Sequence, residues 1–278
     1  INAHRTGCRG FGFGMIIVLL LGSIVAFVAF FALLLRVVHS SKQLGKLAES
    51  IIFLKLGGTA ALDSVLAQRK SRLLSSAGLR GKILDCGSGQ GMNLKYLAAL
   101  PYVTDIICIE SNDYFLANLR QAAAEVSRSS GKKVEVFHET LESYLQKHPK
   151  EAGTYDGVLC IHSLGRMGKL KATAQIIQIA LKKGGKLVFM EASRSKFTNL
   201  WQRTCRIPLI VLGGLDLMKD PIKSLSSVGW QKFEGERFLV NTSNVSWLMN
   251  SFLSILKSHA MGCAVAREAK GGLHTNAD

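Results

Sequence analysis

The residues best suited to chemistry stand in one run, Asp85-Cys86-Gly87-Ser88-Gly89-Gln90-Gly91, directly after an apolar stretch. Three glycines at alternate positions let the backbone turn sharply and approach a ligand closely. A helix predicted from Met92 to Ala99 begins there, and its free N–H groups would face an anion. A second apolar stretch ends in Glu110, which is placed to accept hydrogen bonds from a ribose diol. The pattern predicts a site for an adenosine-bearing cofactor.

The acid before the first glycine separates two classes of cofactor. Dinucleotide dehydrogenases use Gly-x-Gly-x-x-Gly, in which the third glycine lets a helix pack close beneath a diphosphate. Here the glycines alternate, and a carboxylate before them would repel a diphosphate but suits an ammonium group, as in S-adenosylmethionine (SAM). We therefore predict that Asp85 orients the SAM amino group, unless it only caps the turn. The predicted lining of the methionine part is Gly87, Ser88, Gly89 and Gly91, and the predicted ribose side is Glu110 with Ser111.

Four further positions complete the candidate site. The segment Glu139-Thr140-Leu141 follows the third predicted strand, where this kind of sheet flanks an adenine. Ile161 and His162 follow the fourth strand, and His162 is a candidate general base because its unperturbed pKa lies near neutrality. The alternative for His162 is a polar pocket wall or a buried, hydrogen-bonded histidine. Asn93 either contacts the cofactor or supports the glycine turn. The six cysteines show no zinc-ligand spacing, so no metal is expected.

The elements that must position these residues alternate between strand and helix. This alternation with short turns predicts an α/β fold, a doubly wound, seven-stranded, mostly parallel sheet that an antiparallel pair closes. A tight turn is predicted at Lys182-Lys183-Gly184-Gly185 before the fifth strand. The predicted strands end near residues 86, 110, 137, 162, 191, 238 and 265, and the predicted helices are 63–77, 92–99, 114–127, 170–181, 197–212 and 245–256.

An apolar segment of 21 residues without charge, residues 15–35, precedes the sheet. That length crosses a bilayer as a helix, and Arg36 follows it directly, which favours a retained anchor over a cleaved signal. More cations lie on its C-terminal side, so that side is expected in the cytosol, with a hairpin or in-plane helix as the alternative. The predicted organisation is a flank at 1–14, the anchor at 15–35, juxtamembrane and amphipathic helices at 36–77, the catalytic domain at 78–267 and a disordered tail at 268–278.

The amphipathic stretch 44–56 has three interpretations: it lies on the membrane, covers the substrate pocket, or packs on the domain. The net charge of +16 favours an anionic partner, either nucleic acid or a membrane surface. The basic residues form no block interleaved with aromatics, which argues against a single-strand-binding groove. N-methylating nucleic-acid enzymes commonly carry Asn/Asp-Pro-Pro-aromatic after strand four, where this chain has Ile161-His162-Ser163-Leu164. We therefore expect a membrane partner and no nucleic acid.

Residues 83–191 resemble the class I SAM-dependent methyltransferases, a Rossmann-like fold. The closer resemblance is to the membrane-associated methyltransferase-like protein 7 family, the alkyl thiol methyltransferases. It rests on residues 89–96, 108–112, 183–185, 189–191 and 259–265. It implies methyl transfer from SAM to a small lipophilic thiol, at the endoplasmic reticulum or a lipid droplet.

The chain departs from that family at several positions. Glu110 stands where the family usually has Asp, and Ser88 replaces the usual Cys. The residues after Ile161 and the region 196–220 match poorly, and these are the places where the acceptor would be selected. Two alternatives to a thiol methyltransferase therefore stay open: a lipid or quinone methyltransferase of the same fold, and a SAM-binding membrane or lipid-droplet protein without turnover.

Overall fold

A computed structural model describes residues 58–194, 216–241 and 256–267, together with 42–51, Phe53 and several positions between 25 and 37. The predicted helix at 197–212, nearly all of the one at 245–256, the tail at 268–278 and residues 15–24 of the predicted anchor lie outside these ranges. Residues 28–33 are helical and exposed. No helix among the described residues is long and apolar enough to cross a membrane. The membrane span therefore stays a prediction.

Helices and strands alternate along the described chain as the sequence predicts. Short 3-10 turns occur at Asp113–Phe115 and Pro149–Glu151. The helices are α1 (Lys42–Ser50), α2 (Gly58–Ala77), α3 (Leu94–Ala98), α4 (Leu116–Ser130), α5 (Leu141–Lys147), α6 (Leu170–Ala180) and α7 (Pro221–Ser226). The strands are β1 (Gly81–Cys86), β2 (Val103–Ile109), β3 (Lys133–Phe137), β4 (Tyr155–Ile161), β5 (Leu181–Ala192), β6 (Lys232–Leu239) and β7 (Ser258–Val265).

The strands form one seven-stranded mixed sheet in the order β3-β2-β1-β4-β5-β7-β6, which confirms the predicted α/β, doubly wound architecture. Strands β1 to β5 pair in parallel, and β7 lies antiparallel between β5 and β6. The chain leaves β1 toward β2 on one side and returns to β4 on the other, so the strand order reverses at β1. In open α/β sheets the ligand binds at such a reversal, outside the carboxyl ends of the strands.

Helices cover both faces of the sheet, which explains why its central strands are apolar throughout rather than alternating. Side chains of α2, α3 and α4 pack on one face, and those of α5, α6 and α7 pack on the other. Two neighbouring residues of β1 illustrate this arrangement. Ile83 packs on the side of α2, α3 and α4, Leu84 packs on the side of α5, α6 and α7, and both are fully buried.

Two local features differ from the sequence-based expectation. The predicted turn at 182–185 lies within β5, where the pairing jumps from Tyr155 with Leu181 to Gly157 with Lys186 and Gly184 has a φ of 74°. Helix α5 was not predicted. It begins after Thr140, whose side-chain hydroxyl accepts a hydrogen bond from the Ser143 N–H at 3.2 Å as an N-cap.

Candidate functional site

Two adjoining cavities open at the carboxyl edge of the sheet, where the strand order reverses. The first has a volume of about 580 Å³ and the second about 760 Å³, and both are lined by Gly87 and Arg166. The first is also lined by Ser88, Gly89, Asn93, Ile161 and His162, and the second by Glu110, Ser111, Glu139, Thr140 and Leu141. The fold thus brings together the predicted site residues, with Asp85 and Gly91 set behind the cavity walls.

The glycine turn closes over the end of β2. The N–H groups of Gly87 and Ser88 both donate to the Ile109 carbonyl, at 2.9 and 3.1 Å. Gly91 lies on the far side of the turn, where a Cβ would stand 2.9 Å from Ala122 Cβ on α4. Gly91 therefore permits close packing of the turn on α4, while Gly87 and Gly89 line the cavity.

Replacing Gly87 by alanine should cost about 3 kcal/mol of folding stability. Gly87 has a φ of 69°, which costs an L-residue about 1–2 kcal/mol. Its new Cβ would also stand 2.6 Å from Ser163 Cβ, an overpacking that costs about 1–3 kcal/mol. Urea denaturation measures the loss. Gly89→Ala is the matched control, because Gly89 also has a positive φ but a Cβ there meets nothing within 4 Å. Equal losses for the two variants would contradict the steric argument.

Glu110 lies at the boundary between β2 and the second cavity and is 7% exposed. Its Oε2 accepts a hydrogen bond from the Gly89 N–H at 2.8 Å, and its Oε1 accepts one from the Asn112 N–H at 2.7 Å. Each oxygen retains a second lone-pair site, and the two sites suit a vicinal diol. The carboxylate therefore fits the ribose of an adenosine cofactor.

Asp85 is fully buried behind the glycine turn. Its Oδ1 accepts a hydrogen bond from Asn93 Nδ2 at 3.1 Å, and Asn93 lines the first cavity. Its Oδ2 has no hydrogen-bond partner among the described residues, and burial raises the pKa of this carboxyl to about 6. A buried acceptor of this kind requires a donor. The ammonium group of SAM, directly or through water, would supply this donor, so the unpartnered oxygen of Asp85 fits this cofactor.

A buried lysine that the sequence reasoning did not select stands beside Asp85. Lys70 on α2 is 2% exposed, lines the first cavity, and pairs with the Asp63 carboxylate and, at 3.3 Å, with Asn93 Oδ1. Asp63 also pairs with Lys95 Nζ at 2.7 Å. Burial lowers the pKa of Lys70 despite this pairing, whereas at Asp63 the two lysines outweigh burial and lower the pKa. A signal was present in the sequence: Asp63 and Lys70 carry opposite charges, stand seven residues apart, and lie on the apolar face of the helix.

Helix α1 and the residues that follow it pack against the rim of both cavities. Glu49, near its end, forms an ion pair with Arg166, with 2.9 Å between Oε1 and Nη1, and accepts a hydrogen bond from Asn112 Nδ2 at 3.1 Å. The Arg166 guanidinium also lies 4.8 Å from the Phe53 ring centroid, and the Phe53 carbonyl accepts a hydrogen bond from Gln90 Nε2 at 3.1 Å. The described part of the amphipathic stretch 44–56 therefore packs on the domain and covers its cavities.

Glu191, at the end of β5, holds the loop that carries Arg166. It is 1% exposed, and its Oε2 accepts a hydrogen bond from the Gly165 N–H at 3.1 Å. Burial raises the pKa of this carboxyl to about 7. The folded chain therefore retains a proton on Glu191 at pH values where the unfolded chain has released it. The stability that this proton confers is full below pH about 4.5 and is lost as the pH rises through about 7.

Glu191→Gln should remove that pH dependence. As the pH rises from about 4.5 to about 7.5, the stability of the variant relative to the wild type should increase by about 3 kcal/mol. The reason is that glutamine needs no proton to be neutral. Glutamine keeps one oxygen for the Gly165 N–H, but its NH₂ group replaces the Oε1 that accepts from the Ala192 N–H at 3.2 Å, so the variant also carries a loss of stability that does not depend on pH. Urea denaturation of both proteins across this range measures the difference. Parallel stability curves for the two proteins would show that Glu191 ionises normally in the fold.

His162 follows β4 and lines the first cavity. Among the described residues it is the one non-glycine position with a positive φ, 55°, and its N–H donates to the Met190 carbonyl at 2.9 Å. Its Nε2 lies 3.1 Å from Nε2 of His259, a fully buried residue of β7. Burial is the largest cause that holds the pKa of His162 well below its usual range. The neighbouring His259, Lys70 and Arg166 lower this pKa further. The ring is therefore uncharged at neutral pH.

Solved structures of similar fold come from several organisms. An O-methyltransferase family protein from Burkholderia thailandensis is 16% identical, with a TM-score of 0.52 over 75% of this chain and 57% of that chain. A SAM-dependent methyltransferase from Thermotoga maritima is 14% identical, with a TM-score of 0.50 over 79% of this chain and all of the other. The cyclase SpnF is 18% identical, with a TM-score of 0.50 over 71% of this chain and 80% of its own. These likenesses establish the fold, and the cyclase shows that the fold alone does not determine the reaction.

A family comparison identifies the domain itself. The family described as a methyltransferase domain matches residues 59–247, more than half of the chain, and this range contains the glycine turn, Glu110 and His162. A comparison with curated proteins found no match. The chain thus belongs to the methyltransferase-domain family, and its cofactor is SAM.

Proposed function

We propose that the protein is a membrane-anchored SAM-dependent methyltransferase of the methyltransferase-like protein 7 kind, which methylates small lipophilic thiols. The observation that supports an apolar acceptor best is the wall of the first cavity. Leu62, Met92, Phe115 and Ile161 line it together with Lys70 and Arg166. An apolar wall suits the hydrocarbon chain of a lipophilic acceptor. Lys70 and Arg166 are already paired with the carboxylates of Asp63 and Glu49, so the support for the proposal lies in the apolar wall.

The residues at the carboxyl edge would hold SAM in an extended position across both cavities. Glu110 would bind the ribose, the segment 139–141 would flank the adenine, and Asn93 with Asp85 would face the amino group. When bound, SAM supplies an already activated methyl group, so in-line positioning of the acceptor provides much of the rate. A thiol with a pKa near 8.5 has an appreciable thiolate fraction at neutral pH. This chemistry is therefore compatible with a site whose histidine is a weak base.

The proposed location follows from the segment before the described domain. Residues 15–35 carry no charge and precede α1, which itself covers the cavity rim. A lipophilic acceptor that concentrates in the bilayer would thus meet the cavity near the membrane surface. We propose that the catalytic domain faces the cytosol, at the endoplasmic reticulum or a lipid droplet.

Labelled SAM and a panel of thiols, phenols and quinones test the acceptor class. The full chain, in detergent micelles, should transfer label to thiols, with the rate rising with the length of the alkyl chain. Transfer to lipids or quinones and to none of the thiols would contradict the thiol proposal and favour the second enzyme class. Calorimetric SAM binding without transfer to any acceptor would instead favour a SAM-binding protein without turnover.

A further inference from the structure

Lys70 has hydrogen-bonding capacity that its protein partners do not use. It is 2% exposed and lines the first cavity. Its ammonium group donates to the Asp63 carboxylate and to Asn93 Oδ1 at 3.3 Å, and the Tyr96 ring covers another side, with its centroid 4.9 Å from Nζ. An ammonium group has three N–H donors. The described residues therefore supply oxygen acceptors for two of the three, and the third is left for a molecule in the cavity.

The ion pair with Asp63 does not use up the positive charge at this position. Asp63 is shared, because its second oxygen accepts from Lys95 Nζ at 2.7 Å and from the Tyr96 hydroxyl at 3.2 Å. Two lysines thus share one carboxylate, and the cluster keeps one positive charge in excess. The Lys95 side chain is 57% exposed and lies outside the cavity lining. Of the two lysines, Lys70 is therefore the one that presents this charge to the cavity.

Asn93 joins this cation to the buried acid of the glycine turn. Its Oδ1 accepts from Lys70, and its Nδ2 donates to Asp85 Oδ1 at 3.1 Å. The opposite amide orientation would set its NH₂ group against the ammonium and its oxygen against the carboxylate, so the two charges fix this orientation. Asn93 immediately precedes α3, yet its side chain does not cap that helix. Lys70 and Asp85 are therefore held on either side of one amide group, each with a hydrogen-bonding position that no described residue uses.

These charges and their spacing match the end of an α-amino acid. Its ammonium and carboxylate groups are attached to the same carbon atom, so a site that binds both needs an acid and a cation close together. We propose that Lys70 binds the carboxylate of the SAM methionine moiety while Asp85, directly or through water, accepts from its ammonium group, so that the pair selects cofactors with a complete amino-acid end. The reverse placement would oppose like charges on both sides. The inference rests on SAM as the cofactor and is independent of the methyl acceptor.

Two adenosyl sulfonium ligands that differ only in the carboxylate test this assignment. Isothermal titration calorimetry of the full chain in detergent micelles, without acceptor, should show that the wild type binds SAM about 10- to 100-fold more tightly than decarboxylated SAM. Lys70→Met should abolish most of this preference by weakening the binding of SAM. Because both ligands are titrated into the same protein, a lower folded fraction affects both affinities equally. Equal affinities in the wild type, or an unchanged preference in Lys70→Met, would overturn the proposal.

A matched control separates direct contact from a long-range effect of charge. Decarboxylated SAM carries one more net positive charge than SAM, so any nearby cation disfavours it. Lys95→Met removes the other cation of the cluster, which lies outside the cavity lining, and should keep the preference for SAM. A loss of preference in Lys95→Met equal to that in Lys70→Met would refute the contact.

A second variant covers the case in which Lys70→Met does not fold. Lys70→Met/Asp63→Asn leaves no uncompensated charge and carries the same comparison of the two ligands. Failure of the proposed function has a different signature, since it would appear as an absence of methyl transfer to thiols. The binding comparison contains no acceptor and decides the role of Lys70 in either case.

Discussion

Replacing Glu110 by glutamine is expected to weaken SAM binding about 100-fold. The carboxylate accepts backbone hydrogen bonds from Gly89 and Asn112 and has one further lone-pair site on each oxygen. An amide has only one oxygen, so its NH₂ group would face one of these two N–H donors. Hydrogen bonds to a charged group contribute about 1.5–3 kcal/mol each, and the loss of one or two corresponds to about 100-fold in Kd. Isothermal titration calorimetry of the full chain with SAM measures this change.

Two further variants make the Glu110 result specific. Glu110→Asp keeps the carboxylate but shortens its reach, so it should bind SAM with an affinity between those of the wild type and the glutamine variant. Glu125→Gln removes an exposed carboxylate on α4, far along the helix from the cavities, and should bind as the wild type does. If Glu110→Gln bound SAM as tightly as the wild type, the ribose would not lie at the end of β2.

The sequence predicts the sheet and the glycine turn well because their determinants are local. Alternation of apolar strands with helices indicates a doubly wound sheet, and the acid, the glycines and Glu110 lie at its carboxyl edge. Gly91 shows the limit of this reasoning, since a glycine that approaches a ligand and a glycine that packs against Ala122 carry the same local signal. Only the position of α4 distinguishes the two.

Residues missed by the sequence reasoning reach the site from distant segments. Glu49, Lys70 and Arg166 converge on the cavities, yet Arg166 lies more than a hundred residues beyond Glu49. The His162–His259 pair likewise spans 97 positions and depends on β7 entering the sheet next to β5. No local pattern reports such an insertion. The candidate residue His162 was therefore accessible from the sequence, whereas its contact with His259 was not.

Replacing Lys70 by methionine is expected to destabilise the fold by about 3 kcal/mol. Methionine fills a similar volume, but the change removes a buried cation from a chain of contacts that runs from Asp63 through Asn93 to Asp85. Breaking a buried ion pair costs about 3–5 kcal/mol because the remaining charge is left without its partner. The lower end applies here, since Asp63 keeps its pairing with Lys95. Asp85 also loses a cation that lowers its pKa, so its carboxyl should hold its proton to higher pH.

The double variant Lys70→Met/Asp63→Asn distinguishes pairing from packing. Removal of both charges leaves no uncompensated ion, so the double variant should be more stable than Lys70→Met alone. Lys171→Met, at an exposed site on α6, is the control for the loss of a positive charge and should leave stability unchanged. Chemical denaturation followed by tryptophan fluorescence reports on the described domain, because Trp230 is buried within it. If the separate losses of Lys70→Met and Asp63→Asn simply add in the double variant, Lys70 and Asp63 are not energetically coupled, and the pairing argument fails.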